Sequence, residues 1–385
     1  MIKRRKSLLM LYIEPITSLL LVFATIFALY ICNSPYKDLY HNIFYETYIT
    51  SNFNLHSFIN DFLMAIFFLL AGLEIKEEIL YGNLCSFKKA SFPIMASIGG
   101  VIMPALIFTY FNLGSEYISG ICIPISTDIA FSMGIYFLFS KHLSPYIKMF
   151  LLSLAIVDDL VSILLIGTVY SSSINFNFFI LALLCLLVIM LGNKLFKIES
   201  VLYYLLLGLL LWYFIHLSGI HSTLSGIILA ICIPTKSVKR KNSVSFYINK
   251  FLDPFNKFII IPLFAFANTG ITIYTNLNLT EYPTLFLGIY LGLLVGKPLG
   301  IMSFSYISNL IGISKKSREL NWSSVFLASI ISSIGFTMSI FVSEVAFVGT
   351  PELINISRIY ILISSFTSII LSSLFIKTFK ELHIT

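Results

Sequence analysis

Residues 154–160 read Leu-Ala-Ile-Val-Asp-Asp-Leu and place two neighbouring carboxylates, Asp158 and Asp159, in the middle of an apolar run. The run extends over residues 146–170, about 25 residues, and a run of that length can cross a bilayer as a helix. Each charged side chain at its centre costs at least ~2.5–3.5 kcal/mol. Because helical neighbours point about 100° apart, two adjacent acids are hard to explain as packing. The stretch predicts a polar site inside a membrane protein rather than a polar notch in a soluble one.

The composition agrees with a membrane protein. Hydrophobic residues make up 58% of the chain and charged residues 11%, whereas soluble domains have about 25% charged residues. The first apolar region runs from about Leu11 to Cys32, which is long for a signal peptide, so we expect a retained helix. The five cysteines are scattered and indicate neither a disulfide framework nor a metal site.

The chain divides into twelve apolar segments, which predict an all-α polytopic membrane protein with a single domain over residues 1–385. The segments lie near 11–32, 58–80, 92–112, 119–139, 146–170, 175–193, 200–217, 219–234, 254–274, 284–308, 322–347 and 355–376. With twelve spans, almost all of the 25 lysines and arginines fall on one side of the membrane. The positive-inside rule then places both termini in the cytoplasm. The net charge of +7 is therefore a topology signal and does not indicate nucleic acid.

Two spans carry polar interruptions. The fourth contains Pro124 and the run 126–128, and the eleventh contains the run 332–337. Proline, glycine and hydroxyl residues in the middle of a span predict an unwound helix, whose freed backbone groups need side chains or water. These spans are central in spans three to five and ten to twelve, which an inverted repeat would relate. In the outer loop 33–57 we expect ordered surface and a short hairpin.

Four ionisable residues fall near the middle of their spans: Asp128, Asp158, Asp159 and Lys297. Isolated buried charges are prohibitive, so a shared hydrated pocket is expected. Three acids and one base leave excess negative charge, so a small cation and protons compete for the same oxygens. A hard alkali cation prefers oxygen ligands, and there is no His or Cys cluster for a transition metal. No cofactor is expected beyond the transported ions.

At these residues the chain resembles the NhaA family of sodium/proton antiporters. The matching segments are NDFLMAIFFLLAGLEIKEE (60–78), FPIMASIGGVIMPAL (92–106), IPISTDIAFSMG (123–134), FLLSLAIVDDL (150–160), SGIHSTLSG (218–226), PLFAFANTG (262–270), GKPLG (296–300) and IGFTMSIF (334–341). The resemblance implies twelve helices, with helices 4 and 11 unwound at mid-membrane. It also implies electrogenic exchange of Na⁺ or Li⁺ for H⁺ across the bacterial inner membrane by alternating access, with a role in sodium and pH homeostasis. The expected partners are the lipid bilayer, Na⁺ and H⁺; a homodimer stays open.

The resemblance also implies roles for individual residues. Asp159 matches the main sodium-binding carboxylate, and Asp158 matches its neighbour, which pairs with the lysine at Lys297. Thr127 and Asp128 match the unwound stretch of the fourth helix, where the aspartate offsets facing helix dipoles. The expected Na⁺ ligands are therefore Asp158 and Asp159.

A second set of residues matches positions linked to the ion pathway or pH response, namely Asp61, Glu74, Glu78 and His221. The alternatives are a hydrogen-bonded histidine at a helix end for His221 and a solvated helix terminus for the two glutamates. The chain departs from the family pattern at Glu77, where a basic residue is typical, and at Asn249, Lys250 and Asp253. These departures predict a pH response that differs from that of strongly pH-gated members of the family.

Two other functions are alternatives to a cation/proton antiporter. An intramembrane aspartyl protease also needs two membrane aspartates, but on different helices facing a peptide bond, whereas Asp158 and Asp159 are adjacent. Lys297 has no role in that chemistry. A passive cation channel needs a continuous pore, often from several subunits. A transport assay for coupled counter-flow separates these alternatives.

Overall fold

The fold was analysed in a computed structural model, which describes residues 2–50, 53–82, 84–140, 143–170, 175–235, 243–272 and 281–382. The first half of the chain forms helices α1 (Ile2–Cys32), α2 (Lys37–His41), α3 (Leu55–Ser57), α4 (Met64–Tyr81), α5 (Phe87–Asn112), α6 (Ile129–Leu138) and α7 (Pro145–Val169). The second half forms α8 (Phe176–Lys194), α9 (Val201–Leu217), α10 (Leu224–Cys232), α11 (Val244–Phe255), α12 (Ile261–Asn268), α13 (Pro283–Leu291), α14 (Lys297–Ile311), α15 (Trp322–Ser332), α16 (Phe336–Ala346) and α17 (Pro351–Leu382).

Short irregular segments connect or extend these helices. They are a 3₁₀ helix at Glu116–Ile125 and π-helical segments at Asn42–Glu46, Phe58–Leu63, Asn256–Ile260 and Gly292–Gly296. Strands β1 (Tyr48–Thr50) and β2 (Phe53–Asn54) pair antiparallel, with Tyr48 opposite Asn54. The short hairpin expected within residues 33–57 is therefore present.

The chain is mostly helical, and the prediction of an all-α polytopic membrane protein is confirmed at that level. Within the described residues, eight helical stretches are long and apolar enough to cross a membrane, or nine if the bent pair α15–α16 counts as one span. The predicted segments 200–217 and 219–234 contain only the shorter helices α9, with 17 residues, and α10, with 9. A count of twelve spans stays a prediction.

Two compact units make up the fold. The first unit comprises Met1–Leu29, Ser86–Ser162 and Asn268–Thr385, and the second comprises Tyr30–Cys85 and Ile163–Ala267. Buried apolar side chains of α4, α8, α9 and α10 form the core of the second unit, among them Leu73, Ile189 and Tyr204. The single domain over the whole chain stays a prediction.

In the first unit, α5 and α14 cross with their main chains in contact. A Cβ atom added to Gly99 would collide with the carbonyl of Gly300, and one added to Gly300 would collide with the carbonyl of Gly99. Only glycine permits so close an approach. The crossing fixes the residues within one turn of it on each helix, including Ser97 on α5 and Lys297 on α14.

Both polar interruptions lie in the first unit. Ser126 and Asp128 have extended backbones between the 3₁₀ helix and α6. The axes of α15 and α16 are bent by 48° at residues 333–335. The backbone N–H of Asp128 donates to the carbonyl of Ile334 at 2.8 Å, so the two interruptions contact each other. Their depth at mid-membrane and the inverted repeat stay predictions.

Candidate functional site

The ammonium group of Lys297 lies at the centre of the candidate site. Lys297 is fully buried at the start of α14, directly after a π-helical segment, and such segments are frequent at functional sites. Its Nζ atom lies 2.5 Å from the Ile125 carbonyl oxygen and 2.5 Å from Thr127 Oγ1. It also lies 3.4 Å from Asp158 Oδ2. An ammonium group has three protons, so these three acceptors match its donors.

The carboxylate of Asp158 divides its two oxygens between different partners. Oδ2 accepts from Thr127 Oγ1 at 3.0 Å and faces Lys297. Oδ1 accepts from Ser97 Oγ at 2.5 Å. All of these side chains are buried, and a buried ion pair is tolerated only when further hydrogen bonds satisfy it. The arrangement meets that condition on both oxygens.

Asp128 connects the two interruptions through hydrogen bonds of its side chain as well as of its backbone. Oδ1 accepts from the Phe131 N–H at 2.9 Å and so caps α6. Oδ2 accepts from the Thr337 N–H at 3.1 Å and from the Thr337 hydroxyl. The N-termini of helices carry partial positive charge. One carboxylate therefore accepts hydrogen bonds from backbone N–H groups in the first turns of both α6 and α16.

Asp159 follows Asp158 on α7 and is also buried, and its charge interacts electrostatically with Lys297. Among the described residues, four buried serine hydroxyls of this unit have no hydrogen-bond partner, and those of Ser126 and Ser162 are two of them. Ser162 lies three residues after Asp159, and such pairs are neighbours on a helix surface. Within the described chain no three His, Cys, Asp or Glu side chains could hold a metal ion. A cation here would therefore need hydroxyl and main-chain oxygens besides the carboxylates.

The second set of predicted residues lies in the second unit. Asp61, in the π-helical segment before α4, lies 3.9 Å from His216, measured from Oδ2 to Nδ1. His221 interacts with Asp61 electrostatically, and its Nδ1 atom lies 2.9 Å from Thr223 Oγ1. Asp61, His216 and His221 thus form one group, and the His221–Thr223 contact fits the alternative of a hydrogen-bonded histidine beside a helix end.

Glu74 and Glu78 lie further along α4. Thirteen residues separate Glu74 from Asp61, about 20 Å along a helix, so the structure does not group them. Glu74 is exposed and Glu78 is partly buried. Lys76 between them donates to the carbonyls of Ala230, Ile231 and Ile233 at the end of α10. A role of either glutamate in pH response stays a prediction.

The positions that depart from the family pattern lie on α4 and α11. Glu77 accepts from the Ser245 hydroxyl at 3.2 Å. Asp253 pairs with Lys257 at 3.1 Å, one turn along the chain. Glu77 therefore contacts α11 through a neutral hydroxyl, where a basic residue is typical of the family.

Three residues of these groups have no predicted role of their own in the sequence patterns, namely Ser97, Thr337 and His216. Ser97 is a hydroxyl residue in an apolar segment, two residues before the glycine pair 99–100, and Thr337 ends the polar run of the eleventh span. Both positions offered a signal, because buried hydroxyls near a glycine or a helix break often have a polar partner. His216 ends an apolar segment, and only its contact with Asp61 identifies it.

Comparisons with known proteins show the family to which the chain is similar. A family model described as Na⁺/H⁺ antiporter 1 matches residues 9–376. A Na⁺/H⁺ antiporter NhaA 2 from Aliarcobacter butzleri is 40% identical over 376 residues, covering 94% of this chain and 93% of the relative. A Na⁺/H⁺ antiporter NhaA from Aliivibrio salmonicida is 40% identical over 355 residues, covering 92% of each chain. One from Pelagibacter ubique is 38% identical, covering 92% of this chain and 93% of the relative.

Proposed function

The chain belongs to the NhaA family of Na⁺/H⁺ antiporters, and we propose that it exchanges Na⁺ or Li⁺ for H⁺ across the bacterial inner membrane by alternating access. The family is one of transporters, so the chain is a multi-pass membrane transporter and not an enzyme. The observation that carries the proposal is the buried network in which Lys297, Thr127 and Asp158 meet beside Asp159.

In the proposed cycle Asp159 binds the cation. Its carboxylate is buried and follows Asp158, which accepts from the Thr127 hydroxyl of the interruption at residues 126–128. Hydroxyl and main-chain carbonyl oxygens of such an interruption are the ligands that a hard cation prefers. Burial and nearby negative charge also favour proton binding by carboxylates. Na⁺ and H⁺ therefore compete for the same oxygens, and this competition couples the two fluxes.

Asp158 and Lys297 carry the second proton. In the sodium-loaded state both are charged and pair through the Thr127 hydroxyl. When Asp158 takes up a proton, it becomes a neutral acid while Lys297 keeps its own proton, so the pair holds one proton more than in the sodium-loaded state. Two protons then move for one sodium ion, which makes exchange electrogenic. Such exchange would serve sodium and pH homeostasis.

Alternating access is supported by the contact between the two interruptions. At the interruptions the half-helices are joined by the hydrogen bond from the Asp128 N–H to the Ile334 carbonyl and by the Asp128 carboxylate. No continuous row of helical hydrogen bonds crosses these points, so the half-helices can tilt without breaking one. We propose that these half-helices reorient around the bound ion. The distribution of basic residues supports a cytoplasmic location of both termini.

A transport assay in proteoliposomes tests the proposal. The purified chain is reconstituted with a pH gradient, and Na⁺, Li⁺ and K⁺ are added in turn. We expect Na⁺ and Li⁺, but not K⁺, to dissipate the gradient, and an imposed membrane potential to change the rate. Sodium flow that does not move protons would indicate a passive channel and would refute the proposal.

A further inference from the structure

We infer that a groove in the first unit, lined by α1, α6, α16 and α17, binds an anionic phospholipid, with one acyl chain in the groove and the phosphate near Lys148 and Lys377. The groove is a cavity of about 490 Å³. An apolar cavity of ~150 Å³ binds benzene, so this one has room for a hydrocarbon several times larger. The inference needs only a chain that spans a membrane, and it goes beyond the proposed exchange of ions.

The lining of the groove fits a hydrocarbon rather than a polar ligand. Among the described residues that line it, three carry a polar side chain, namely Ser18, Thr25 and Ser365. The hydroxyls of Ser18 and Thr25 donate to backbone carbonyls at 3.0 and 2.9 Å. Ser365 Oγ accepts from the Phe336 N–H at 3.1 Å. Because each of these oxygens already has a partner, a polar ligand would lose hydrogen bonds with water on entering and gain few in return.

The groove is continuous with the apolar outer surface of the spanning helices. Four of its lining residues are 61–68% exposed, namely Leu19, Ile26, Leu138 and Phe366. The helical stretches Pro15–Cys32 and Pro351–Thr378, which contain three of these residues, are long and apolar enough to cross a membrane. Large exposed apolar patches of this kind mark contact with a membrane or a partner, and in a multi-pass membrane protein lipid covers them. An acyl chain can therefore enter the groove from the bilayer.

The inner wall of the groove belongs to the two half-helices that follow the interruptions. Phe131 lies in the first turn of α6 and Phe336 begins α16. Their rings are in contact, with centroids 5.2 Å apart, and both residues line the groove. An acyl chain in the groove therefore packs against the first turns of both half-helices and stabilises their arrangement.

Helices α6 and α17 both run antiparallel to the segment α15–α16, as two contacts along each of them show. The contacts are Asp128 with Ile334 and Ser132 with Ile331 for α6, and Ser365 with Phe336 and Phe375 with Phe326 for α17. The C-terminal ends of α6 and α17 therefore lie at the same end of the groove.

Two lysines lie at this end of the groove. The Lys148 ammonium is 4.5 Å from the ring centroid of Phe137, the neighbour of the lining residue Leu138. Lys377 is exposed and follows the lining residue Ile369 on α17, about 12 Å further along the helix. The phosphate of an anionic lipid complements this positive charge, and a lysine near anionic lipid contributes about fivefold in affinity.

The test places the purified full chain in phosphatidylcholine vesicles with a trace of one probe, either phosphatidylglycerol or phosphatidylcholine that carries a photoreactive acyl chain. After illumination, mass spectrometry identifies the labelled peptides. We expect label on residues 15–29, 131–138 and 362–369 to exceed label on the exposed face of α14, which includes Leu299 and Ile307. Label in the groove should be at least about fivefold higher with the anionic probe.

Matched variants test the two parts of the site. Ile369→Trp fills the groove and should remove most of its label, whereas Ile370→Trp changes the neighbouring isoleucine, which is 43% exposed and does not line the groove. Lys148→Gln and Lys377→Gln should each lower the label from the anionic probe about fivefold. Lys194→Gln is their control, because Lys194 is an exposed lysine at the end of α8.

Each outcome decides the inference. If Ile369→Trp does not insert, Val22→Phe fills the groove from α1, and the same loss of label is expected. Label spread evenly over all exposed apolar faces, or an equal loss in Ile370→Trp, would overturn the site. Equal label from the two probes would overturn its preference for an anionic lipid, and cross-links between two copies of the chain at the groove would assign it to a second copy instead. Labelling needs no ion exchange, so a failure of the proposed function leaves this result unchanged.

Discussion

Lys297 Nζ lies 3.4 Å from Asp158 Oδ2 and 2.5 Å from Thr127 Oγ1, and the same threonine hydroxyl lies 3.0 Å from Asp158 Oδ2. The threonine hydroxyl therefore bridges the lysine and the aspartate, which also form a direct ion pair. With side chains that are 0% exposed, neither charge has water to replace a lost partner. The pair and its bridge behave as one unit.

Lys297→Ala should lower the free energy of unfolding by ~3–5 kcal/mol, because it leaves the Asp158 charge buried without its ammonium. Transport should fall with it. The double variant Asp158→Asn with Lys297→Gln removes both charges and should recover much of the lost stability. The measurement is thermal unfolding of all variants in detergent. A double variant destabilised by the plain sum of the single changes would show that the two side chains do not interact.

Asp128→Asn should destabilise the first unit by ~2 kcal/mol, because the amide cannot accept at both ends. The NH₂ group would face either the Phe131 N–H or the Thr337 donors, and one helix would lose its cap. The matched control is Asp253→Asn, because Asp253 forms a partly exposed pair with Lys257, and pairs near the surface contribute little. Equal thermal shifts in the two variants would contradict the capping of two helices by Asp128.

Glu344→Gln should destabilise the junction between α16 and α17. Glu344 pairs with the buried guanidinium of Arg358, and neutralising one partner leaves the other charge buried, at a cost of ~3 kcal/mol. Glu352→Gln is the control, since Glu352 is an exposed acid that accepts from Tyr282 at 3.0 Å. Thermal unfolding compares them. A smaller loss in Glu344→Gln than in Glu352→Gln would show that the buried pair does not stabilise the fold.

The main features of the fold follow from local sequence patterns. Asp128, Asp158 and Lys297 are exceptional because an ionisable residue in an apolar run has few explanations, and the proline and hydroxyl runs identify the interruptions. Ser97 could not be assigned a contact in this way, because a serine is tolerated in many membrane helices. Its contact depends on the glycine crossing of α5 with α14, which is tertiary geometry.

The lengths of some helices and the partners in ion pairs could also not be predicted from the sequence. The apolar segments 200–217 and 219–234 do not show that α10 begins only at Leu224, after a turn closed by short-range hydrogen bonds at His221 and Ser222. Arg358 and Glu344 lie 14 residues apart on different helices, and nothing in their local composition predicts that they pair. Such contacts are decided by packing between helices, which periodicity does not encode.

The central claim is that Asp159 binds the transported cation, and the most direct test is sodium-driven proton movement by purified Asp159→Asn in proteoliposomes beside the wild type. The change keeps size and removes the anionic ligand, so the variant should insert and fold, with a thermal midpoint close to that of the wild type. We predict that the wild type dissipates an imposed pH gradient when Na⁺ is added and that Asp159→Asn does not, at any pH from 6 to 9. Substantial sodium-coupled proton movement by the folded Asp159→Asn protein would contradict the account.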